Sequence, residues 1–252
     1  MVILNEKAEA ERIIEKCEIV DSVSTSLTLL SKYYFSLGLN CGEIRNKLEE
    51  YLVKIIPEYN PVLWKDTLDN KAKNAGKYPL TSIDGVSVTQ NEINKIRALK
   101  SIGLERLAFT LLCLAKYQNK KKPENNNWVN LQHKEIFKLA NVPTTNYNQA
   151  IMLNQLYDYG MIRFGKKITN TNIQVVFGDD TSETAIAIAD FRELGREYMN
   201  YIDAKKYIRC AECGRLVFAK NNRKKYCDEC SLKIQSVQKS LYDKHKRRNS
   251  EN

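Results

Sequence analysis

Four of the seven cysteines fall in two pairs, Cys210-Ala211-Glu212-Cys213 and Cys227-Asp228-Glu229-Cys230, with 13 residues between them. Two residues between thiols let both sulfurs of a pair face one tetrahedral ion, and Gly214, directly after the first pair, permits the tight turn such a knuckle needs. Four thiolates close the coordination shell, so the spacing predicts one structural zinc ion held by Cys210, Cys213, Cys227 and Cys230, not a catalytic one. A redox disulfide or unrelated surface thiols would have to explain the same spacing twice. Cys17, Cys41 and Cys113 stand unpaired, and Cys113, among Leu111, Leu112 and Leu114, reads as a core thiol.

The cluster sits in the most basic part of the chain. Of 40 Lys and Arg against 30 Asp and Glu, residues 205–252 hold 14 against 5, or +9, while residues 1–204 hold 26 against 25, or +1. Lys220, Arg223, Lys224 and Lys225 lie between the cysteine pairs, and Lys246, Arg247 and Arg248 close the tail. Four thiolates with one Zn(II) carry −2, which lowers this region to about +7, still ample for phosphate contacts. A basic end of this kind points to a polyanion, duplex DNA first, with a solubilising tail or an acidic protein surface as the other readings.

Leu232, Ile234, Val237 and Leu241 follow the second pair at spacings that suit a helix starting beside the metal, whose N-terminal N–H groups and dipole would stabilise the thiolates. Hairpin, knuckle and helix in that order resemble a treble-clef finger. Nucleases of the HNH type share that module, but the chain has only His133 and His245 and no paired His or carboxylate beside the finger, so metal-assisted phosphodiester hydrolysis lacks its ligand set.

The elements that must carry this site are mostly helices. Apolar residues recur at helical spacing over 6–20, 27–37 (ending at Gly38) and 42–56 (ending at Pro57), and Asn60-Pro61 opens a fourth helix toward Gly76. Residues 77–88, with Pro79, Gly85 and several Ser, break the periodicity and read as a linker or short strand. Thr89 and Glu92 have capping-box spacing for a helix to about Leu99, and 104–117 is strongly apolar. After a solvated loop over 120–127 come an extended piece at 128–130, a helix at 132–140, a turn at 142–144, a helix at 145–159 and strands at 161–164 and 172–177. A strand at 185–189 and a helix at 191–201 complete the body.

The order helix, short strand, helix, turn, helix, hairpin over 104–177 resembles the winged-helix form of the helix-turn-helix. Ile136, Phe137, Leu139, Ala140, Leu153, Leu156, Gly160 and Ile162 resemble its core pattern. That resemblance implies a second helix in the major groove, leading with Thr145, Asn146, Asn148 and Gln149, of which Asn and Gln can bond adenine in bidentate fashion. It also implies phosphate contacts from the wing through Arg163, Lys166 and Lys167. Against this, residues 144–160 contain no Lys or Arg and include Asp158, so Lys134, Lys138, the wing or the basic tail must supply the cations.

The fold class expected is mainly α: an N-terminal helical domain over 1–77, a linker over 78–88, a winged-helix-like domain with a small β-hairpin over 89–204, and a four-cysteine zinc finger with basic tail over 205–252. No run of about 20 apolar residues would span a membrane, the first residues lack the order of a signal peptide, and a cytoplasmic protein without membrane contact is expected. No phosphate-binding glycine loop, Ser/His/Asp set or carboxylate pair appears, so no enzyme is expected. The whole resembles DNA-binding regulatory or replication-associated proteins of bacteria and phages. The alternative is a protein-binding adaptor or inhibitor, of the phage anti-defence type, directed at a host nucleic-acid machine.

Overall fold

The computed structural model describes residues 2–165, 172–219, 221 and 223–250, with 205, 240, 241 and 243–250 described by their backbone alone. It is mainly α-helical with small antiparallel sheets, and the chain divides into two compact units, Met1–Gly85 and Val86–Asn252.

The first unit holds α1 (Glu6–Lys16), α2 (Val23–Ser36), α3 (Cys41–Ile55) and α4 (Pro61–Lys73). Each begins on a side-chain cap. Asn5 accepts from the Ala8 N–H at 2.9 Å, Ser22 from Thr25 at 3.1 Å, Asn40 forms a full capping box with Glu43, and Asn60 precedes Pro61 at the first helical position. Ile13, Leu27, Leu30, Ile44, Leu48, Leu52 and Leu68 are fully buried and form its core. The expected linker is partly fastened here: Glu6 N–H donates to the Thr81 carbonyl at 2.8 Å and Ile83 N–H to Leu4 at 2.9 Å.

The second unit is built on α6 (Ile102–Lys121), which is buried on all sides from Leu107 to Tyr117, Cys113 included. The strand part of residues 77–88 is β1 (Val86–Thr89), paired antiparallel with β5 (Thr184–Ile188), and the expected capping box of Thr89 and Glu92 starts α5 (Gln90–Arg97). Glu92, with no exposure, also accepts from the Asp179 N–H at 2.7 Å and pairs with Lys116 of α6 at 3.0 Å, which pins α5, α6 and the approach to β5 together. Helix α6 runs further than the apolar run suggests, and 120–127 is ordered by Asn119. Its carboxamide oxygen accepts from the Asn127 N–H at 2.9 Å and from Asn125 at 3.3 Å.

Next come β2 (Trp128–Val129), α7 (His133–Leu139), α8 (Asn146–Asp158), β3 (Ile162–Phe164) and β4 (Ile173–Val175), in the order expected from the sequence. The three strands form one antiparallel sheet in the order β2-β4-β3, with Ile162 opposite Val175 and Trp128 opposite Gln174. Its buried residues Val129, Ile162, Ile173 and Val175 join Ile136, Phe137, Leu153 and Leu156 in the core around α6. Helix α9 (Leu194–Ile202) lies along α6, where the Phe109 and Tyr198 rings sit 5.2 Å apart and Tyr198 donates to Glu105 at 2.6 Å. The chain then forms β6 (Tyr207–Arg209), β7 (Leu216–Phe218) and α10 (Asp228–Ser250). No helix among the described residues is long and apolar enough to cross a membrane.

Candidate metal centre

The β6–β7 hairpin positions the first cysteine pair. Its register, Tyr207 opposite Phe218 and Arg209 opposite Leu216, continues as a bond from the Cys210 N–H to the Arg215 carbonyl at 2.9 Å. The turn closes with Gly214 N–H on the Cys210 carbonyl at 2.8 Å, and Gly214 takes φ +70°, a backbone that the missing Cβ makes accessible. The second pair comes from the other side, with Cys227 just before α10 and Cys230 in its first turn. Ala211 N–H donates to the Lys225 carbonyl at 3.0 Å and ties the two halves together.

The four sulfurs lie within 4.8 Å of one another, and Cys213 Sγ is 3.8 Å from Cys227 Sγ. A tetrahedral ion with metal–sulfur bonds of ~2.3 Å separates its ligands by ~3.8 Å, so the cage fits a single ion. Backbone donors already aim at the sulfurs, Cys227 N–H at Cys210 Sγ (3.2 Å) and Cys230 N–H at Cys227 Sγ (3.4 Å). Burial acts to raise the Cys210 thiol, but the Cys213, Cys227 and Glu212 N–H groups outweigh it and bring it down to about 6. Burial pushes Cys230 well up, the neighbouring cysteines adding to the effect, and raises Cys213 as well. Four sulfurs this close cannot all ionise without a cation among them. The donor set can therefore hold one metal ion, and Ile208, Val217 and Tyr226 pack around it.

The finger is seated on the body rather than tethered to it. Arg192, which grips Asp190 through Nε (3.0 Å) and Nη2 (2.8 Å), donates to the Cys213 carbonyl at 2.9 Å. Arg196 of α9 reaches the Leu216 carbonyl at 3.4 Å, and Glu197 accepts from Arg209 at 3.1 Å. These positioning residues escape a reading of the sequence because they act on backbone carbonyls and on partners 12–21 residues away, with no spacing to betray them.

The other residues singled out in the sequence fall in several places. Thr145 caps α8, its hydroxyl accepting from the Asn148 N–H at 3.3 Å, and Asn146 and Asn148 are exposed. Gln149 is buried, and its amide donates to the Thr144 carbonyl at 3.5 Å, so this side chain belongs to the turn and not to an outer face. The signal was present: Gln149 precedes Leu153 by one turn and shares the inner stripe with Leu156. Arg163 is exposed on β3. Lys166, Lys167 and Lys220 lie outside the described residues, and Lys246, Arg247 and Arg248 are placed on α10 by backbone only. Lys224 is paired with Asp228 at 3.0 Å, while Arg223 and Lys225 make no ion pair among the described residues. Helix α8 packs on α6, α7 and β3, and β7 of the finger packs on α9, so among the described residues the two groups sit on different elements.

Comparison of the chain with protein-family models, with curated proteins and with solved structures finds no match.

Proposed function

We propose that this chain is a zinc-containing DNA-binding protein, acting in regulation or replication, in which the C-terminal finger supplies the affinity. The observation that carries the reading is the metal cage itself, which fixes a hairpin, a cationic loop and a 23-residue helix as one piece. Four soft sulfur ligands within 4.8 Å of one another favour zinc, and with no open position the ion is structural. Arg223 and Lys225 beside the cage, with the basic residues of α10, are the phosphate contacts. Helix α10 extends for about 34 Å, long enough to follow a duplex groove for several base pairs. The body supports the same reading by its architecture: one helix, a strand, two helices and a hairpin, with sheet order β2-β4-β3, resemble a winged helix, and hairpin, knuckle and helix resemble a treble clef.

The test is fluorescence anisotropy of the full-length, zinc-loaded protein on a labelled duplex over a salt series. Each phosphate contact contributes a log–log slope of about −0.9, so replacing Arg223 and Lys225 together by Ala is expected to flatten the slope by about 1.8. Binding that ignores salt, or a slope unchanged in the double variant, overturns the reading. One observation favours the adaptor reading instead: α8, the helix that a winged helix would put in the groove, has an exposed face without a single cation, led by Tyr147 at 76% exposure.

A further inference from the structure

Helix α8 buries Gln149, Leu153 and Leu156 and turns the opposite stripe to solvent: Tyr147, Ile151, Asn154 and Asp158, flanked by Asn148 and Gln155. Beside its C-terminal end Tyr157 stacks on Phe164 of β3 at 5.6 Å, both rings exposed. A folded chain seldom leaves so many large apolar side chains in water on one face without a use for them. We infer that this face joins two copies of the chain, α8 lying antiparallel to α8 of the second copy across a two-fold axis at Ile151.

Charge decides the occupant. Residues 144–160 carry no Lys or Arg and a single acid, so the helix offers a polyanion no counter-charge, whereas a nearly neutral surface can meet itself without net repulsion. The antiparallel register is self-complementary, as a two-fold contact must be. With Ile151 on the axis, Tyr147 faces Gln155, and the carboxamides of Asn148 and Asn154 face each other. Asp158 meets Thr144 and Thr145, the start of the second copy's α8, where the helix dipole is positive. The one charge on the face thus finds the one complementary site on the same face of another molecule. A parallel pairing would set Asp158 against Asp158.

The area fits as well. Tyr147, Ile151, Tyr157 and Phe164 together expose on the order of 400 Å² per copy, taking aromatic side chains at ~150–250 Å² each. Doubled across the axis, and with the flanking Asn148, Asn154 and Gln155 side chains added, that approaches the ~1,000 Å² at which specific interfaces begin. This inference stands apart from the DNA reading and survives its failure.

The experiment is sedimentation equilibrium of the full-length, zinc-loaded protein from low to high micromolar concentration. A reversible monomer–dimer equilibrium is expected. Ile151→Glu, at a position 39% exposed, sets two carboxylates against each other at the axis and is expected to weaken the dimer roughly a hundredfold, as is Ile151→Lys by the same repulsion. Because a residue on a two-fold axis meets its own copy, mixing the Glu and Lys variants is expected to restore a heterodimer. A protein that stays monomeric, a dimer indifferent to both substitutions, or a mixture that fails to pair each overturns the inference.

Discussion

Gly195, at the second position of α9, lies against the backbone at the end of α7 and opens the seat of the finger to a single-atom test. A Cβ placed there lies 1.9 Å from the Ala140 carbonyl oxygen and 2.4 Å from its carbon. Real Cβ contacts essentially never fall below 3.0 Å, so going from 1.9 Å to that limit forces α9 and the end of α7 apart by about 1.1 Å. Both obstacles are backbone, so no rotamer change can absorb the methyl. Overpacking of this kind costs typically ~1–3 kcal/mol, with a backbone clash at the upper end. Replacing Gly by Ala within a helix recovers up to ~1 kcal/mol, leaving a net loss of about 2 kcal/mol. For a protein of this size that corresponds to a fall of roughly 4–8 °C in Tm. Calorimetry on Gly195→Ala measures it, with Gly103→Ala as the control. There the added methyl meets only the flexible end of Met152, Cε at 3.2 Å, and Tm is expected to hold or rise. A Gly195→Ala protein that melts at or above the parent would refute the packing argument.

Three more expectations follow from particular contacts. Tyr198→Phe leaves the 6%-exposed Glu105 carboxylate without its 2.6 Å donor, and the denaturant midpoint is expected to fall by the equivalent of ~1–3 kcal/mol. In the first unit the hydroxyl of Tyr59 donates to Glu49 at 2.8 Å and, with Arg45, holds that carboxylate below its usual range against its partial burial. A lowered carboxylate stabilises the fold above about pH 4.5 and loses that contribution as the pH drops below it, so parent stability should decline there and Tyr59→Phe should show a shallower decline. Cys227→Ser removes one of four sulfurs, and elemental analysis of reduced protein is expected to fall from one zinc per chain toward none, with loss of the hairpin's thermal transition.

Much of the fold was legible because its signals are local. Thr89 with Glu92, Asn60 with Pro61, and the 3.6-residue stripes need only neighbours in sequence to act, and α3, α4, α5 and α8 start where such signals lie. The metal cage was legible for the same reason, since a C-x2-C pair is a local device. What the sequence hid is settled by partners far along the chain. Asn119 orders the stretch after α6 from a helix end, and Thr81 and Ile83 are held by Glu6 and Leu4 through backbone bonds and a bond from the Thr81 N–H to the Glu6 carboxylate at 2.7 Å. Arg192 serves the cage through a carbonyl 21 residues away.

Charge shows the same division between sequence and space, and here the difference bears on function. Counted along the chain, residues 205–252 carry +9. In space, Arg209 is paired with Glu197 at 3.1 Å and Lys206 with Asp203 at 2.8 Å, acids that lie outside that window, while Arg215 pairs with Glu229 at 3.0 Å and Lys224 with Asp228 at 3.0 Å. The pairs at Lys206 and Lys224 are solvent-exposed and add little stability, ~0–1 kcal/mol each, but every one of the four occupies a cation that the formal count offers to phosphate. The pairs at Arg209 and Arg215 also flank the hairpin. On the DNA-binding reading, Arg223 and Lys225, on the loop that leads into Cys227, make none of these pairs and stay open to phosphate. Metal binding and phosphate binding are on that reading mechanically one event: the ion fixes the loop that carries Arg223 and Lys225, and without it those charges have no common direction.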